Sequence, residues 1–132
     1  MRNAIAFAIA GIAGFAGSAF AAAPDWQPLG ENANGNRIFV DKASVKAEGA
    51  TTSVTYRTVL KTPLDTPGGG ITSMRSQMRV NCKERTAAGI EVILFEDEAR
   101  NVAFARNKAA KIEYLKEPPG SSADLVIAHV CR

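Results

Sequence analysis

Histidine and cysteine, on which most catalytic and metal sites depend, are nearly absent from this sequence. Its 132 residues contain one histidine, His129, and two cysteines, Cys82 and Cys131. One histidine with no nearby acid cannot build a Ser/His/Asp triad or a Cys/His pair, nor can it supply the three or four ligands of a zinc site. The sequence therefore predicts a protein that is not an enzyme and that has no cofactor and no metal site.

Runs of like charge are missing as well. Lysine and arginine total 16, aspartate and glutamate total 13, and the net charge is +3. The two signs are interspersed, whereas a nucleic-acid arm needs a block of basic residues. We therefore expect no nucleic-acid partner, and none of these features indicates an oligomeric state.

A long apolar stretch occurs only at the start of the chain. Residues 1–3 are basic, residues 4–17 are apolar, and residues 18–23 are small and contain an A-x-A pattern. This order is typical of a secretory signal peptide, with cleavage expected after Ala21 or Ala22. The stretch is shorter than the roughly 20 strongly apolar residues of a membrane span, so we expect no transmembrane segment after cleavage.

Removal of the signal peptide, residues 1–21, leaves residues 22–132, which have the length of one domain. No cysteine lies near the cleavage site to carry a lipid. We therefore expect an exported protein that is periplasmic or secreted to the cell surface and not lipid-anchored. The exported compartment is oxidising, and two cysteines there are first interpreted as a disulfide. Cys82 and Cys131 are predicted to be joined.

The segment before Cys82 is predicted to be a central strand. In residues 73–82 the even positions are mostly apolar and the odd positions are polar, which is the two-residue period of a half-buried strand. Strands are also predicted at residues 37–40 and 51–61. Residues 89–96 are apolar on both faces and are predicted to be a central strand. The composition of residues 102–111 permits a helix, but the hairpin spacing of the preceding segments favours another strand at residues 102–105. The predicted fold class is α+β, a mainly antiparallel sheet of about five to six strands with a short C-terminal helix tied to it by the disulfide.

Three local features complete the expected fold. Residues 62–70 hold two prolines and three consecutive glycines, which predicts an irregular, mobile connection between two hairpin strands. Asp41 is expected to cap a helical turn from which Val45 returns to the core. Ser121 is expected to begin the last helix. Its apolar face is predicted to comprise Leu125, Val126, Ala128 and His129, continued by Val130 and Cys131.

The polar face of the central strand is the candidate binding surface. Arg75 and Arg79 are four positions apart and therefore project to the same side, roughly 13 Å from each other. On the preceding strand, Arg57 and Lys61 are also four positions apart, and both project to the outward side. Together these four residues would form a basic stripe suited to acidic proteins or sulfated glycans. The alternative is that the charges only keep an exposed sheet face soluble.

A series of short motifs resembles the surface-adhesin protein E family of small exported bacterial proteins. The motifs occur in order over nearly all of residues 22–132, and they are Trp26 with Gly30, Phe39-Val40-Asp41 with Ser44-Val45, Tyr56, Ser73-Met74-Arg75, Asn81-Cys82, Pro119-Gly120-Ser121 and Val130-Cys131. The resemblance implies an antiparallel sheet flanked by a C-terminal helix that a disulfide holds. It also implies binding to host extracellular-matrix or plasma proteins.

Two classes of function are consistent with these features. The first is a non-enzymatic, exported, adhesin-like protein that binds host matrix or plasma proteins or sulfated glycans. The second is a periplasmic carrier or interaction module for a small ligand or an envelope component, with a pocket between the sheet and the helix.

Overall fold

The computed structural model describes residues 23–132, which form one antiparallel sheet and one α-helix. The strands are β1 (Trp26–Glu31), β2 (Arg37–Asp41), β3 (Lys46–Glu48), β4 (Thr51–Thr66), β5 (Gly69–Asn81), β6 (Thr86–Asp97) and β7 (Val102–Lys108), and the helix is α1 (Ser122–Val130). The strand order is β1-β2-β4-β5-β6-β7, and β3 pairs with β4 beside β2. The predicted α+β class is confirmed, with seven strands instead of five to six.

The predicted signal peptide, residues 1–21, and its cleavage after Ala21 or Ala22 lie outside the described residues. In the part of the chain that the structure describes, no helix is long and apolar enough to cross a membrane.

Helix α1 covers one face of the sheet and closes the core. The fully buried side chains there include Ile38, Val40, Val54 and Val80 from the strands and Val126 from the helix. These β-branched residues alternate along their strands, so that one face of each strand meets the helix.

The prediction of which residues form the apolar face of this helix was partly wrong. Val126 is buried as expected, but Ala128 is exposed, and the other buried positions are Ala123 and Ile127. A spacing of three and four residues from Ala123 defines this face. Ser121 is the N-cap as predicted, and its Oγ accepts a hydrogen bond from the Asp124 backbone N–H at 3.2 Å.

The disulfide between Cys82 and Cys131 is present, with a Cα–Cα distance of 5.3 Å. Cys82 directly follows β5, and Cys131 directly follows α1. The bond therefore fixes the C-terminal end of the helix to the end of a central strand, as predicted.

The connection between β4 and β5 is more regular than predicted. Both strands continue into the segment that was expected to be an irregular loop, and only Pro67 and Gly68 lie between them. The β4–β5 register shifts between Val59 and Leu64, a stretch that contains Pro63. A bulge accommodates a proline because it removes the need for one ladder hydrogen bond, so the composition of this segment did not exclude strands.

Two further expectations around β2 have different outcomes. Asp41 caps a single 3-10 turn, and its Oδ1 accepts a hydrogen bond from the Ala43 backbone N–H at 3.0 Å. Val45 does not return to the core; it is 41% exposed. The chain enters the short strand β3 directly after it, at Lys46, and this strand, like β1, was not predicted.

Candidate functional site

Glu98 organises the sheet face opposite the helix. It lies in the turn between β6 and β7 and accepts hydrogen bonds from three side chains. Arg57 Nε and Nη2 lie 3.0 and 2.9 Å from Glu98 Oε1, Arg75 Nη2 lies 2.7 Å from Oε2, and Ser73 Oγ lies 2.9 Å from Oε1. We call Arg57, Arg75 and Glu98 the arginine cluster.

The register of β4 and β5 brings the two arginines together. Arg57 is the direct cross-strand partner of Arg75, an arrangement in which like charges normally destabilise a sheet. The Glu98 carboxylate offsets this repulsion because its side chain is only 10% exposed and binds both guanidinium groups. The cluster carries two positive charges and one negative charge, and so keeps one net positive charge.

Three aromatic rings hold the guanidinium groups in place. The Trp26 ring centroid lies 5.6 Å from Arg57 Cζ and 5.4 Å from Arg75 Cζ. Phe39 lies 4.9 Å from Arg57 Cζ, and Phe95 lies 5.2 Å from Arg75 Cζ. Such contacts attract a cation to the ring face. They also restrict the rotamers of two long side chains, so the cluster is rigid before any partner binds.

The cluster also sets the protonation of its carboxyl group. Burial alone would raise the pKa of Glu98, but hydrogen bonds from Arg57, Arg75 and Ser73, together with the charge of Arg57, hold that pKa below its ordinary value of 4.5. Glu98 is therefore ionised at neutral pH. Ser73, which was expected on an exposed polar face, is buried beneath this network.

The predicted basic stripe is only partly assembled. Arg57 and Arg75 meet in the cluster, and Arg79 lies exposed farther along β5, with no ion pair to any residue in 23–132. Lys61 lies apart from these three arginines, past the register shift in β4 and beside the turn that contains Gly35, where it lines a cleft with Arg37. Arg37 extends the same face instead, because its guanidinium group lies 5.8 Å from the Phe39 ring. We call Arg37, the arginine cluster and Arg79 the basic face.

A groove on the helix side of the sheet is the second candidate site. Two adjoining clefts of about 440 and 350 Å³ share Asn34, Asn36 and Met74. One reaches Pro118–Ser122 at the start of α1, and the other reaches Leu60–Thr62 and Leu64 in β4. We call the two clefts together the groove.

Hydrogen bonds fix the walls of the groove. Ser122 Oγ lies 3.0 Å from Asn32 Nδ2 and 3.1 Å from Thr58 Oγ1, which joins the helix, the β1–β2 turn and the sheet. Asn32 Oδ1 accepts hydrogen bonds from the backbone N–H groups of Asn34 and Asn36, at 2.9 and 3.0 Å. The groove is therefore preformed.

Glu117 and Asp124 form an acidic pair near the start of α1. Burial raises the pKa of Glu117, and the charge of Asp124 raises it further. Asp124 is held by the Gly120 backbone N–H, which donates to its Oδ2 at 2.9 Å. Within residues 23–132, no three or more His, Cys, Asp or Glu side chains come close enough together to hold a metal ion.

The chain is similar to known proteins in both sequence and structure. The model of the family described as surface-adhesin protein E matches residues 26–132. Haemophilus influenzae protein E in crystal form II superposes with a TM-score of 0.56 at 15% identity, covering 85% of this chain and 94% of that one. Protein E from non-typeable Haemophilus influenzae superposes with a TM-score of 0.54 at 15% identity, covering 85% of this chain and 82% of that one. No curated protein matches by sequence. At this identity, the structural similarity shows a shared fold.

Proposed function

This chain belongs to the surface-adhesin protein E family, and on that premise we propose that it is an exported, non-enzymatic binding protein. Its proposed partners are host extracellular-matrix or plasma proteins and the sulfated glycans associated with them. The observation that carries the proposal is the basic face, on which rigid guanidinium groups are held by aromatic rings.

The chemistry of the basic face suits anionic partners. A guanidinium group binds a carboxylate or a sulfate through two parallel hydrogen bonds. The side chains of Arg57 and Arg75 remain 24% and 32% exposed although both bind Glu98. Because ring stacking already restricts these side chains, a partner that contacts them loses less conformational entropy on binding. Arg37 and Arg79, both exposed, would add steering charge at the two ends.

Heparin chromatography tests this proposal. The double variant Arg37→Ala with Arg79→Ala leaves the arginine cluster unchanged, and it should elute at a lower salt concentration than the wild type. Its affinity at low ionic strength should fall about three- to tenfold, because exposed charges are screened by salt and each contributes modestly. When a matrix-protein preparation is immobilised on a sensor surface, the wild type should also bind it more tightly than the double variant does.

The matched control is Lys83→Ala with Lys111→Ala, which removes two exposed charges outside the basic face. It should elute close to the wild type. The proposal fails if the wild type shows no salt-sensitive retention, or if both double variants lose retention equally, since net charge alone would then account for binding.

The proposed location is the periplasm or the outer cell surface, without a lipid anchor. Fractionation of the producing bacterium tests it: the protein should appear in the periplasmic extract, in the medium or among surface proteins released by high salt. Extraction only with detergent would contradict this location.

The second candidate function is a periplasmic carrier or interaction module for a small ligand or an envelope component. The groove favours it, because a preformed concave site with an apolar floor and a few polar groups is typical of ligand binding. Native mass spectrometry of the protein taken from its own periplasm should detect a bound molecule that is lost on unfolding. Detection of the bare mass alone would count against this candidate.

A further inference from the structure

We propose that the groove binds an extended, apolar peptide segment whose free C-terminal carboxylate reaches Lys61. The proposal rests on the second candidate function, to which it gives a ligand class, and Lys61 also lines a neighbouring cleft with Arg37 of the basic face. The groove runs from the start of α1 to the middle of β4, so it suits a linear ligand.

The floor of the groove is aliphatic. Met74, Leu60 and Leu64 line it, and Pro118 and Pro119 form part of the wall beside the helix. Leu64 is 55% exposed although it is a large apolar side chain. Unbranched, adaptable methionine and exposed leucine are the side chains that accommodate varied aliphatic residues of a peptide.

The polar groups of the groove suit a peptide backbone. The side-chain amides of Asn34 and Asn36 each combine a donor and an acceptor, the same pair that a peptide unit presents. Asn36 Oδ1 already accepts a hydrogen bond from the Lys61 backbone N–H at 2.9 Å. Asn34 is exposed and Asn36 is half-buried, so their Nδ2 groups can donate to a ligand carbonyl.

The charge of the groove determines which end of the peptide is held. Lys61 is the only charged side chain among the residues that line the two clefts, and it makes no ion pair with any residue in 23–132. Charge complementarity therefore calls for a ligand that is neutral along its length and anionic at one end. A peptide with a free C-terminal carboxylate meets this requirement.

The lining also favours a peptide over a saccharide. Aromatic rings, on which sugar rings commonly stack, are absent from the residues that line either cleft. An aliphatic floor instead offers the nonpolar contacts that side chains such as valine and leucine make.

Fluorescence polarisation with a labelled peptide tests the proposal. The probe is Ala-Val-Leu-Ala with fluorescein at its N-terminus and a free C-terminal carboxylate, titrated with the full exported protein. The probe should bind saturably, and the C-terminally amidated form should bind about three- to fivefold more weakly, as expected for one exposed ion pair. Lys61→Gln should remove this difference, whereas Lys46→Gln, a lysine outside the groove, should retain it.

A second pair of variants locates the site. Leu64→Glu places a carboxylate on the exposed floor and should weaken binding at least about tenfold. The new charge is unfavourable beside the apolar side chains of the ligand, and it repels the ligand carboxylate. Val102→Glu makes the same change at an edge-strand position that is 42% exposed and lies outside the groove, and it should leave binding unchanged. Both positions are exposed, so both variants should fold.

Three outcomes would overturn the proposal: no saturable binding, equal binding of the free and amidated peptides, or equal effects of the two glutamate variants. Binding of a neutral oligosaccharide such as maltotriose, abolished by Leu64→Glu while the peptide fails to bind, would assign the groove to glycans instead. Leu64→Glu leaves the arginine cluster intact, so heparin retention that persists in this variant while peptide binding is lost separates the two proposals.

Discussion

Glu98 accepts hydrogen bonds from two guanidinium groups and one hydroxyl group, and each donor depends on it differently. Ser73 is buried and needs an acceptor. Arg57 and Arg75 are cross-strand partners that would repel one another without an intervening negative charge. A single carboxylate thus stabilises the centre of the sheet face and orients the groups that we propose to contact a partner.

Glu98→Gln should destabilise the protein by about 1–3 kcal/mol at neutral pH, because the uncharged amide leaves two adjacent arginines without a counter-charge. Urea unfolding at pH 7 measures this, with the exposed Glu113→Gln as control. Since the folded pKa of Glu98 is depressed, its contribution is complete above pH 4.5 and is lost as the pH falls through the folded value. A difference from the wild type that persisted undiminished in strong acid would contradict this account.

Glu117→Gln should have the opposite effect. The fold raises the pKa of Glu117, so the contribution of this residue to stability is complete below the ordinary value of 4.5 and is lost as the pH rises through the folded value. The variant cannot ionise at this position and should therefore melt at a higher temperature than the wild type at pH 7, with the gain vanishing in acid. Thermal melts across this pH range test it, and a lower melting temperature at pH 7 would refute it.

The sequence predicts the role of a single residue when that role depends on neighbours that are close in the chain. Ser121 and Asp41 were assigned as caps because the pattern lies within one turn of chain. Glu98 could not be assigned, because its partner Arg57 is 41 positions away and the strand register that unites them is not visible in the sequence. The two cysteines are an exception, since two thiols in an oxidising compartment leave one pairing.

Among the elements, helix α1 depends most on its covalent connection. It has nine residues, a length at which an isolated helix is marginal in water. Cys82→Ser should cost about 2–5 kcal/mol and should increase hydrogen exchange in α1 more than in β4 and β5. Cys131→Ser added to this variant should change little more, because the bond is already gone. Unchanged exchange in the helix of the single variant would disprove this dependence.

The β4–β5 hairpin depends on Gly69. Its φ of +139° lies in a region that other residues rarely adopt, so a side chain at this position is strained whatever space surrounds it. Gly69→Ala should therefore destabilise the protein by about 1–3 kcal/mol, as measured by chemical unfolding. Gly70→Ala is the matched control, because its nearest neighbours would be 3.8 Å away. Equal stability of the two variants would show that the turn relaxes freely.

The longest strands were predicted well from their two-residue alternation, and β6 and β7 were predicted without it, whereas β1 and β3 were missed. Residues 51–61 and 73–82 have this pattern, and their central positions are strands as expected. The hairpin extension at residues 62–70 was missed because proline and glycine were interpreted as loop signals, whereas a bulge and one turn accommodate them. The helix face was misassigned because four apolar residues in a row, Leu125–Ala128, do not show which one faces solvent.

For the molecule as a whole, the sheet separates the two candidate sites. Arg57 and Arg75 belong to one face, while their chain neighbours Thr58 and Met74 line the groove on the other, because successive strand residues point to opposite sides. Parity along the strands anticipated Arg57, Arg75 and Arg79 on this face, but the predicted stripe also included Lys61 and did not include Arg37. The groove could be anticipated only as a pocket between sheet and helix, since its walls come from segments distant in sequence.

We expect the two sites to bind independently. The affinity of the labelled peptide should change by less than about twofold when a heparin oligosaccharide saturates the basic face, because the arginine cluster and Met74 in the groove lie on opposite faces of the sheet. A titration of peptide with and without the oligosaccharide measures this. A change of more than about tenfold in either direction would indicate one shared surface.

The disulfide also determines how the protein responds to mechanical load. Tension that enters the chain before Cys82 and leaves it after Cys131 passes directly through the sulfur bridge. The 49 residues of separation between the cysteines are thereby shielded, and about 170 Å of extended chain cannot be released. Strands β6 and β7 and helix α1 add no length to the extended chain, although β6 stays hydrogen-bonded to β5 until that strand is pulled away. Under flow, unravelling would be confined to β1–β5, and it would disrupt the arginine cluster while the part enclosed by the bridge stays linked.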